Sequence, residues 1–394
     1  MQKILNLNLN EFVCSKYYLY FFFLLSLVSS YSFINSTIPM YLVASIAVLI
    51  NLKNLKFTKK NFSGFIVLVF FLLISFSFTE NLAHSMRVIR LYFGFVILYI
   101  FFSLYDFKKI KLKVILIILI SWVFAEIFLI NTILDQALIV TDFRDTKFFG
   151  FYYRPTSFNT NTTATAGILV ILYYFVENIL KEKFNIKFLF FFGLCIFLIL
   201  STTGYIMFLT CLVLRFIFHA KNKLRNFLFI VILFVLIYYL SMLFPANIYG
   251  FDNVYYNFEK ISGKYVGYVY ELKKLQIEEY LFFLQQEHNF IDLLFGYTKN
   301  YYLGYCENVF ILTVDNCFTR PQGIGGDFGI INALYQIGII GTIVLASLFF
   351  LFKNNKLNYA GLYILFIVSS LHYSPLLMPM GQIFLAYSLQ KNLN

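Results

Sequence analysis

The apolar residues of this chain are gathered into blocks of about 15 to 25 residues, separated by short polar stretches. A bilayer whose hydrocarbon core is roughly 30 Å thick requires spanning helices of about this length. Of the 394 residues, 60% are hydrophobic and only 13% are charged, whereas soluble domains carry about 25% charged residues. The pattern therefore predicts an all-α, polytopic integral membrane protein and argues against a soluble enzyme or a disordered chain.

Twelve apolar segments are predicted to be transmembrane helices, so residues 1–394 are expected to form a single transmembrane domain. The predicted spans are 17–34, 38–52, 62–79, 87–105, 114–131, 161–180, 188–200, 205–218, 227–243, 328–352, 358–373 and 376–389. A polar Ser-Thr-Thr-Gly turn at 201–204 separates the seventh span from the eighth, and Pro375 and Pro379 interrupt the last one.

The distribution of Lys and Arg predicts the orientation, because cytoplasmic loops retain positive charge during insertion. With the N-terminus inside, the inner side holds 20 basic and 4 acidic residues, and the outer side holds 11 basic and 14 acidic residues. Both termini are therefore predicted to be cytoplasmic (N-in, C-in). The net charge of +12 is interpreted as a topology signal rather than as a sign of nucleic-acid binding. The first apolar block continues as a full span, so no cleaved signal peptide is expected.

Two outer segments are long, at 132–160 and at 244–327, and the second has 84 residues. Long loops usually carry function, so the chemistry is expected to face outward. Within the large outer loop, residues 268–287 have the apolar periodicity of an amphipathic helix. This helix is interpreted either as lying in the membrane interface or as a lid over a groove that admits a lipid-linked substrate.

The first outer segment carries two arginines ahead of a polar turn and a predicted helix start. Arg144 and Arg154 come first, and Asn159 and Asn161 follow them. A guanidinium group presents a planar fork of donors to phosphate oxygens, and a helix N-terminus favours an anion. These residues predict a pyrophosphate clamp led by Arg154. In the alternative interpretation, Arg144 pairs with a neighbouring aspartate and Arg154 extends to lipid head groups.

A second polar set precedes the tenth span. Arg320 is followed by Pro-Gln-Gly-Ile-Gly-Gly and then by Asp327, at a predicted helix N-terminus. Asp327 is interpreted either as an N-cap or as a catalytic base. His288, at the end of the amphipathic segment, is the second candidate for the base, or else a solvated residue.

Arg90 lies near the outer end of the fourth span, three residues after Arg87. An unpaired charge is costly at that depth, so Arg90 is a candidate substrate-binding residue; alternatively it anchors the helix to head groups. No clustered His/Cys pattern predicts a metal site, and the first outer loop, Asn35-Ser36-Thr37, has no carboxylate. The reaction is therefore expected to need neither a metal ion nor a cofactor.

Two cysteines, Cys306 and Cys317, fall in the large outer loop, where the compartment allows disulfides to persist. Cys14 is predicted to lie inside, and Cys195 and Cys211 fall within spans. A disulfide between Cys306 and Cys317 is predicted, with two free thiols as the alternative. Closing a loop of this size is worth roughly 3 kcal/mol of stability in the chain-entropy model.

Four stretches of the sequence resemble motifs of the O-antigen polymerase and ligase family. Arg154-Pro-Thr-Ser-Phe-Asn-Thr-Asn161 resembles the arginine and Asn-rich turn of the family, and Leu200-Ser-Thr-Thr-Gly204 resembles its LTxSRxG turn without the arginine. Leu294-Phe-Gly-Tyr297 is similar to its lFGyG signature. Asp327 with Gly338-Ile-Ile-Gly341 matches the spacing H-[NSQ]-x9-G-x2-[GTV], and an aspartate stands where ligases carry histidine.

The resemblance implies a glycosyltransferase of the bacterial cytoplasmic (inner) membrane, with its site facing outward. A growing O-antigen or capsule polysaccharide would be transferred from undecaprenyl diphosphate to a new lipid-linked repeat unit. The implied partners are the undecaprenyl-diphosphate-linked oligosaccharide and membrane lipids, with a chain-length regulator as a further candidate and no nucleic acid. The cations expected to stabilise the leaving diphosphate are Arg154 with Arg90, Arg144 or Arg320, and the expected base is Asp327 or His288.

Two other functions stay open at this point. An O-antigen ligase would use lipid A core as its acceptor and should keep the histidine that Asp327 replaces. A flippase or transporter should show polar residues across many spans rather than one large outer loop. Because both the histidine and the arginine of the family turn are missing, the sequence favours a polymerase.

Overall fold

The computed structural model describes the chain in segments that cover most of the predicted spans. The described residues are 12–13, 15–30, 37–54, 66, 69–70, 73, 82–132, 143–148, 151–153, 162–199, 201–219, 274, 277–278, 280–281, 290–296, 329–350, 357–371 and 374–393. The predicted span at 227–243 and most of the large outer loop lie outside these residues. The predicted span at 62–79 is described at four positions, all of them helical.

The described part of the chain is a helical bundle with one short hairpin. Its elements are α1 (Lys16–Ser30), α2 (Ile38–Ile50), α3 (Leu82–Phe93), α4 (Phe95–Leu104), α5 (Leu112–Thr132), β1 (Phe143–Phe148), β2 (Phe151–Tyr153), α6 (Thr162–Tyr174), α7 (Ile186–Leu198), α8 (Thr202–His219), α9 (Phe290–Phe295), α10 (Gly329–Phe350), α11 (Leu357–Ser370) and α12 (Pro379–Leu393). A π-helical turn, Phe175–Ile179, continues α6, and 3₁₀ turns occur at Leu52–Asn54, Phe107–Lys109 and Pro375–Leu377.

The prediction of an all-α fold is confirmed for the described residues, apart from the hairpin. In this hairpin β1 and β2 are antiparallel, with Phe143 opposite Tyr153 and Phe148 opposite Phe151. Aromatic residues, which favour strands, stand at the ends of both strands, and β2 packs on α5. Part of the segment 132–160, which is predicted to lie outside, is therefore a hairpin that was not predicted from the sequence.

Among the described residues, one helix is long and apolar enough to cross a bilayer by itself, at Gly329–Ser347. Seven further apolar helices have 10–17 residues and coincide with predicted spans. By length and composition, then, the described helices support one span directly, and the predicted total of twelve is not established by them.

Apolar side chains form exposed stripes along several helices. On α1, α2 and α7 they recur every three or four residues, the spacing of a single helix face, and each is between 38% and 75% exposed. These residues are Tyr17, Phe21, Leu24 and Val28; Ile38, Leu42, Ile46 and Leu49; and Ile186, Phe190 and Leu194. Large exposed apolar surfaces are uncommon on soluble monomers and mark membrane or protein contacts.

The interior is built on aromatic contacts between helices. α4 packs against α2 and α12, and the Phe102 ring meets the Tyr387 ring edge-on, with centroids 5.4 Å apart. α6 packs against α8 and α11, and α12 also contacts α6. The two groups of helices therefore share one buried core.

Charged groups from several loops and helix ends meet at one end of the described bundle. At one end, Lys113 Nζ donates to the carbonyl oxygen of Lys183 at 2.7 Å, and the Tyr387 hydroxyl donates to Asp106 at 2.5 Å. At the same end, Arg215 pairs with the buried Glu177 carboxylate at 3.1 Å. The predicted cytoplasmic loops thus meet at a basic end, and the first residues of α3, α6 and α10 lie at the opposite end.

Candidate functional site

A tight turn at 374–378 lies where several helix ends converge. Its central 3₁₀ segment, Pro375–Leu377, contacts α3, α6, α11 and α12. The first residue of α10, Gly329, packs so closely on the same region that an added Cβ would lie 3.0 Å from the carbonyl oxygen of Ser370. Three helices therefore meet at the 374–378 turn: α3, which carries Arg90; α6, which follows Asn161; and α10, which follows Asp327.

The local sequence explains why the chain turns here. Proline has no N–H and a fixed φ, so it begins helices but does not continue them; Pro375 and Pro379 begin the 3₁₀ segment and α12. Two residues later, an added Cβ on Gly381 would lie 1.9 Å from the carbonyl oxygen of Pro375. Glycine is therefore needed for α12 to fold back against the turn.

Gln382 joins α12 to α3 and to the turn. Its side-chain amide is fully buried and donates to the carbonyl oxygens of Leu91 at 2.9 Å and Leu376 at 2.6 Å. Its side-chain oxygen accepts from the Tyr41 hydroxyl. Because both donors and the acceptor are used, Gln382 acts as a polar cross-link between elements far apart in sequence.

Tyr41 extends this cross-link to the backbone of Arg90. Its hydroxyl oxygen lies 3.1 Å from the carbonyl oxygen of Arg90. Space for the phenol exists because residue 94 is glycine: an added Cβ on Gly94 would lie 2.3 Å from the Tyr41 hydroxyl oxygen. We call Tyr41, Arg90, Gly94 and Gln382 the Arg90 cluster. Through this cluster, α2 and α12 fix the part of α3 that carries the half-buried Arg90.

The predicted polar turn at 201–204, whose last three residues form the start of α8 in the structure, packs against the first turns of α6. The Ser201 hydroxyl donates to Thr163 Oγ1 at 3.3 Å and accepts from the Gly204 N–H at 3.2 Å. An added Cβ on Gly204 would lie 2.5 Å from the Cβ of Ala166. This turn, which resembles a family motif, thus packs on the helix that follows the Arg154-to-Asn161 motif.

The two glycine motifs are in direct contact. Gly296, with φ +87°, follows α9, and Gly338, with φ +66°, forms a kink inside α10. An added Cβ on Gly338 would lie 2.4 Å from the Gly296 nitrogen, and one on Gly296 would lie 2.4 Å from the Gln336 carbonyl oxygen. A short helix of the large outer loop therefore docks on the helix that begins after Asp327.

Buried amides lie on α10 next to this contact. Asn332 and Gln336 are one helical turn apart, hence on one face, and are 7% and 9% exposed. Among the described residues, the side-chain oxygen of Gln336 has no hydrogen-bond partner. A buried polar atom of this kind is costly unless something binds it, so Gln336 is an additional candidate for contact with a polar ligand.

The predicted amphipathic segment at 268–287 is described at five helical positions, 274, 277, 278, 280 and 281. Lys274 and Glu278 pair at 3.8 Å; Tyr280 is buried, whereas Ile277 and Leu281 are exposed. The last two lie four residues apart and share a face. Lys274 and Glu278 lie on this same exposed face, so the five positions do not test the predicted amphipathic helix, and both interpretations, interfacial helix and lid, stay open.

The structure describes two of the predicted site residues. Arg90 lies in α3 and takes part in the Arg90 cluster, and the backbone of Arg144 belongs to β1. The others lie outside the described residues and keep their predicted roles as predictions: Arg154, Asn159, Asn161, His288, Cys306, Cys317, Arg320 and Asp327. Several of them directly adjoin described ends: Arg154 follows β2, and Asn161 precedes α6.

Three residues of the site region were not predicted from the sequence: Tyr41, Gln382 and Gln336. A signal existed for the two glutamines, since an amide inside a predicted apolar span needs a polar partner. For Tyr41 there was none, because it is one of 31 tyrosines and its role depends on a contact with residue 382.

Comparison of the chain with protein-family models, with curated proteins and with solved structures finds no match.

Replacing Tyr41 by Phe is expected to lower stability by about 1–3 kcal/mol, because the buried oxygen of Gln382 loses its donor. Thermal unfolding of the detergent-purified variant measures this. Replacing Tyr17, an exposed residue on α1, by Phe is the matched control and should leave the melting temperature unchanged. Equal melting temperatures for both variants would contradict the role assigned to the Tyr41 hydroxyl.

Proposed function

We propose that this chain is a polytopic inner-membrane polysaccharide polymerase, with about twelve spans, both termini inside and its site on the outer side. It would transfer a growing glycan from undecaprenyl diphosphate to a new lipid-linked repeat unit. Two separate sets of observations support the membrane placement and the chemistry.

The membrane placement is supported by the exposed apolar stripes on α1, α2 and α7. Exposure of such apolar stripes to water is unfavourable, whereas lipid tails solvate them. The gathering of lysine-bearing loops at one end of the bundle also agrees with a cytoplasmic face defined by positive charge. The same orientation puts the 374–378 turn on the outer half.

Glycosyl transfer is supported most by one observation, the convergence at the 374–378 turn. Motifs widely separated in sequence resemble those of one family. The helices that carry or adjoin three of these candidate residues, Arg90, Asn161 and Asp327, all contact this region. The predicted topology alone would bring these residues to the same end of the bundle, so the support comes from the contact of their helices with one turn.

The chemistry needs a cation for the leaving group and a base for the acceptor. The oxygen of an acceptor sugar hydroxyl attacks the anomeric carbon of the growing glycan, and the bond from that carbon to the diphosphate oxygen breaks. The diphosphate leaves with the electron pair and is stabilised by Arg154 with Arg90 assisting. The hydroxyl proton passes to the carboxylate of Asp327, with His288 as the alternative acceptor.

Deletion of the gene, followed by gel analysis of the surface polysaccharide, tests this function. A polymerase predicts a single repeat unit in place of the polymer ladder, restored by the wild-type gene. Loss of polymer from the lipid A core with accumulation of lipid-linked polymer would indicate a ligase. Failure to export lipid-linked repeat units would indicate a flippase, and either result would contradict the proposal.

Replacing Arg90 by Ala is expected to slow polymerisation about 10- to 100-fold, because a hydrogen bond to a charged group contributes roughly 1.5–3 kcal/mol. Arg90→Lys should restore little, since an ammonium group lacks the planar fork of donors. The readout is the ladder length at equal protein abundance, with Lys53→Ala, an exposed residue at the basic end, as control. A wild-type ladder from Arg90→Ala would remove this residue from the site.

A further inference from the structure

Two loops at the basic end form one continuous surface. They comprise residues 105–113 and 180–187, and Lys113 connects them. Its ammonium group donates to the carbonyl oxygen of Lys183 at 2.7 Å and lies 5.0 Å from the centre of the Phe184 ring. The lysines of two separate loops are thereby held side by side; we call residues 105–113 and 180–187 the lysine patch.

The lysine patch is strongly cationic. It contains seven lysines and two acidic residues, a net charge of +5. One of the acids, Asp106, accepts hydrogen bonds from the Tyr387 hydroxyl at 2.5 Å and from the Lys108 N–H at 3.0 Å. Six of the lysines are exposed: Lys108, Lys109, Lys111, Lys181, Lys183 and Lys187. Positive charge at this density attracts anions over about a Debye length.

Lys181 has a left-handed backbone conformation at the end of the π-helical turn. Its φ is +64°, a left-handed conformation that costs an L-residue roughly 1–2 kcal/mol and that glycine adopts freely. The preceding π-helical turn leads into this conformation, with the Leu180 N–H bonded to the Phe175 carbonyl oxygen at 3.1 Å. An exposed lysine thus occupies a position where glycine would relieve strain.

Apolar side chains border the lysine patch on one side. Ile186 is 75% exposed and Phe190, four residues later on α7, is 72% exposed, so the two share a helix face. Lys183 and Lys187 flank Ile186 in the sequence. Cationic groups beside exposed apolar groups match a ligand that is anionic at one end and apolar at the other.

We propose that the lysine patch binds the head groups of anionic glycerophospholipids in the cytoplasmic leaflet. The lysines contact the phosphate oxygens, and Ile186 and Phe190 contact the upper acyl chains. Lysines near an anionic membrane surface contribute to binding additively, and the two-loop arrangement concentrates them. The inference rests on the membrane placement proposed above but not on glycosyl transfer.

The test uses the purified full-length chain, reconstituted in nanodiscs of phosphatidylcholine with increasing phosphatidylglycerol. The Lys183→Gln/Lys187→Gln variant removes two patch charges, and Lys273→Gln/Lys274→Gln removes two charges from the large outer loop. Bound phosphatidylglycerol is counted by native mass spectrometry after detergent exchange. We expect wild type and the loop variant to retain it, and the patch variant to bind it about tenfold or more weakly.

Three outcomes would overturn the inference: equal retention by wild type and the patch variant, equal losses in both variants, or displacement of the lipid by inorganic phosphate at equal concentration. The last would identify a general anion site rather than a lipid site. Because the readout is lipid retention, a chain that binds phosphatidylglycerol but makes no polymer supports this inference while contradicting the proposed function.

Discussion

The Asp327→Asn variant is expected to polymerise about 10²- to 10⁴-fold more slowly than wild type, at unchanged abundance and melting temperature. Removing a general base costs a rate factor of this size, whereas asparagine caps a helix about as well as aspartate. α10 begins two residues later, at Gly329, which packs against Ser370 and Ser374. The helix start is therefore held by packing that the substitution leaves intact.

Two further variants test whether Asp327 acts as a catalytic base or as a helix cap. Asp327→Ala removes the carboxylate and any capping oxygen: lost activity at an unchanged melting temperature assigns the residue to the base, whereas a loss of about 1 kcal/mol of stability with activity retained assigns it to a cap. His288→Gln tests the alternative base. Wild-type ladders from Asp327→Asn together with lost ladders from His288→Gln would assign proton transfer to His288 instead.

The Gly338→Ala variant is expected to lose more than about 3 kcal/mol of stability. Alanine at φ +66° is strained, and its Cβ would lie 2.4 Å from the Gly296 nitrogen and the Leu294 carbonyl oxygen. Neither neighbour is a flexible side chain, so the contact between α9 and α10 must open. Polymerisation should fail with it, because this contact holds α9 on α10, the helix that follows Asp327.

Gly167→Ala is the matched control, since the same substitution there should be neutral or stabilising by up to about 1 kcal/mol. Gly167 lies inside α6, where alanine is the better helix former, and its nearest contacts would be the ordinary 3.4 Å to Met207 Sδ and Ser369 Oγ. The melting temperatures of the two variants in detergent measure both changes in stability. If the Gly338→Ala variant had the same melting temperature as the Gly167→Ala variant and wild type, the docking of α9 on α10 would be wrong.

Local pattern predicted most of the helices but not the contacts between them. Blocks of apolar residues fixed the positions of α1, α2, α5 to α8, α10 and α11 because helix formation depends mainly on nearby residues. The hairpin of β1 and β2 and the π-helical turn at Phe175–Ile179 were not predicted. Each depends on tertiary neighbours: β2 packs on α5, and Glu177 in the π-helical turn pairs with Arg215 at 3.1 Å.

The residues of the candidate site were likewise predicted only in part. Arg90 stood out from sequence because a charge near an apolar span needs a reason. Its neighbours Tyr41 and Gln382 did not, since they come from helices separated from it by 49 and more than 290 positions. The two proline interruptions were visible in sequence, but the convergence of helices on the turn between them required the fold.

Turnover by the purified chain is the decisive test of whether it polymerises lipid-linked repeat units. Lipid-linked repeat units are extracted from the deletion strain and supplied, in proteoliposomes, to wild-type protein, to Asp327→Asn and to a protein-free control. The proposed function predicts a ladder of lipid-linked polymer from wild type alone, unchanged by EDTA and with no nucleotide added. Single repeat units remaining in every sample, with the wild-type protein folded and correctly inserted, would contradict it.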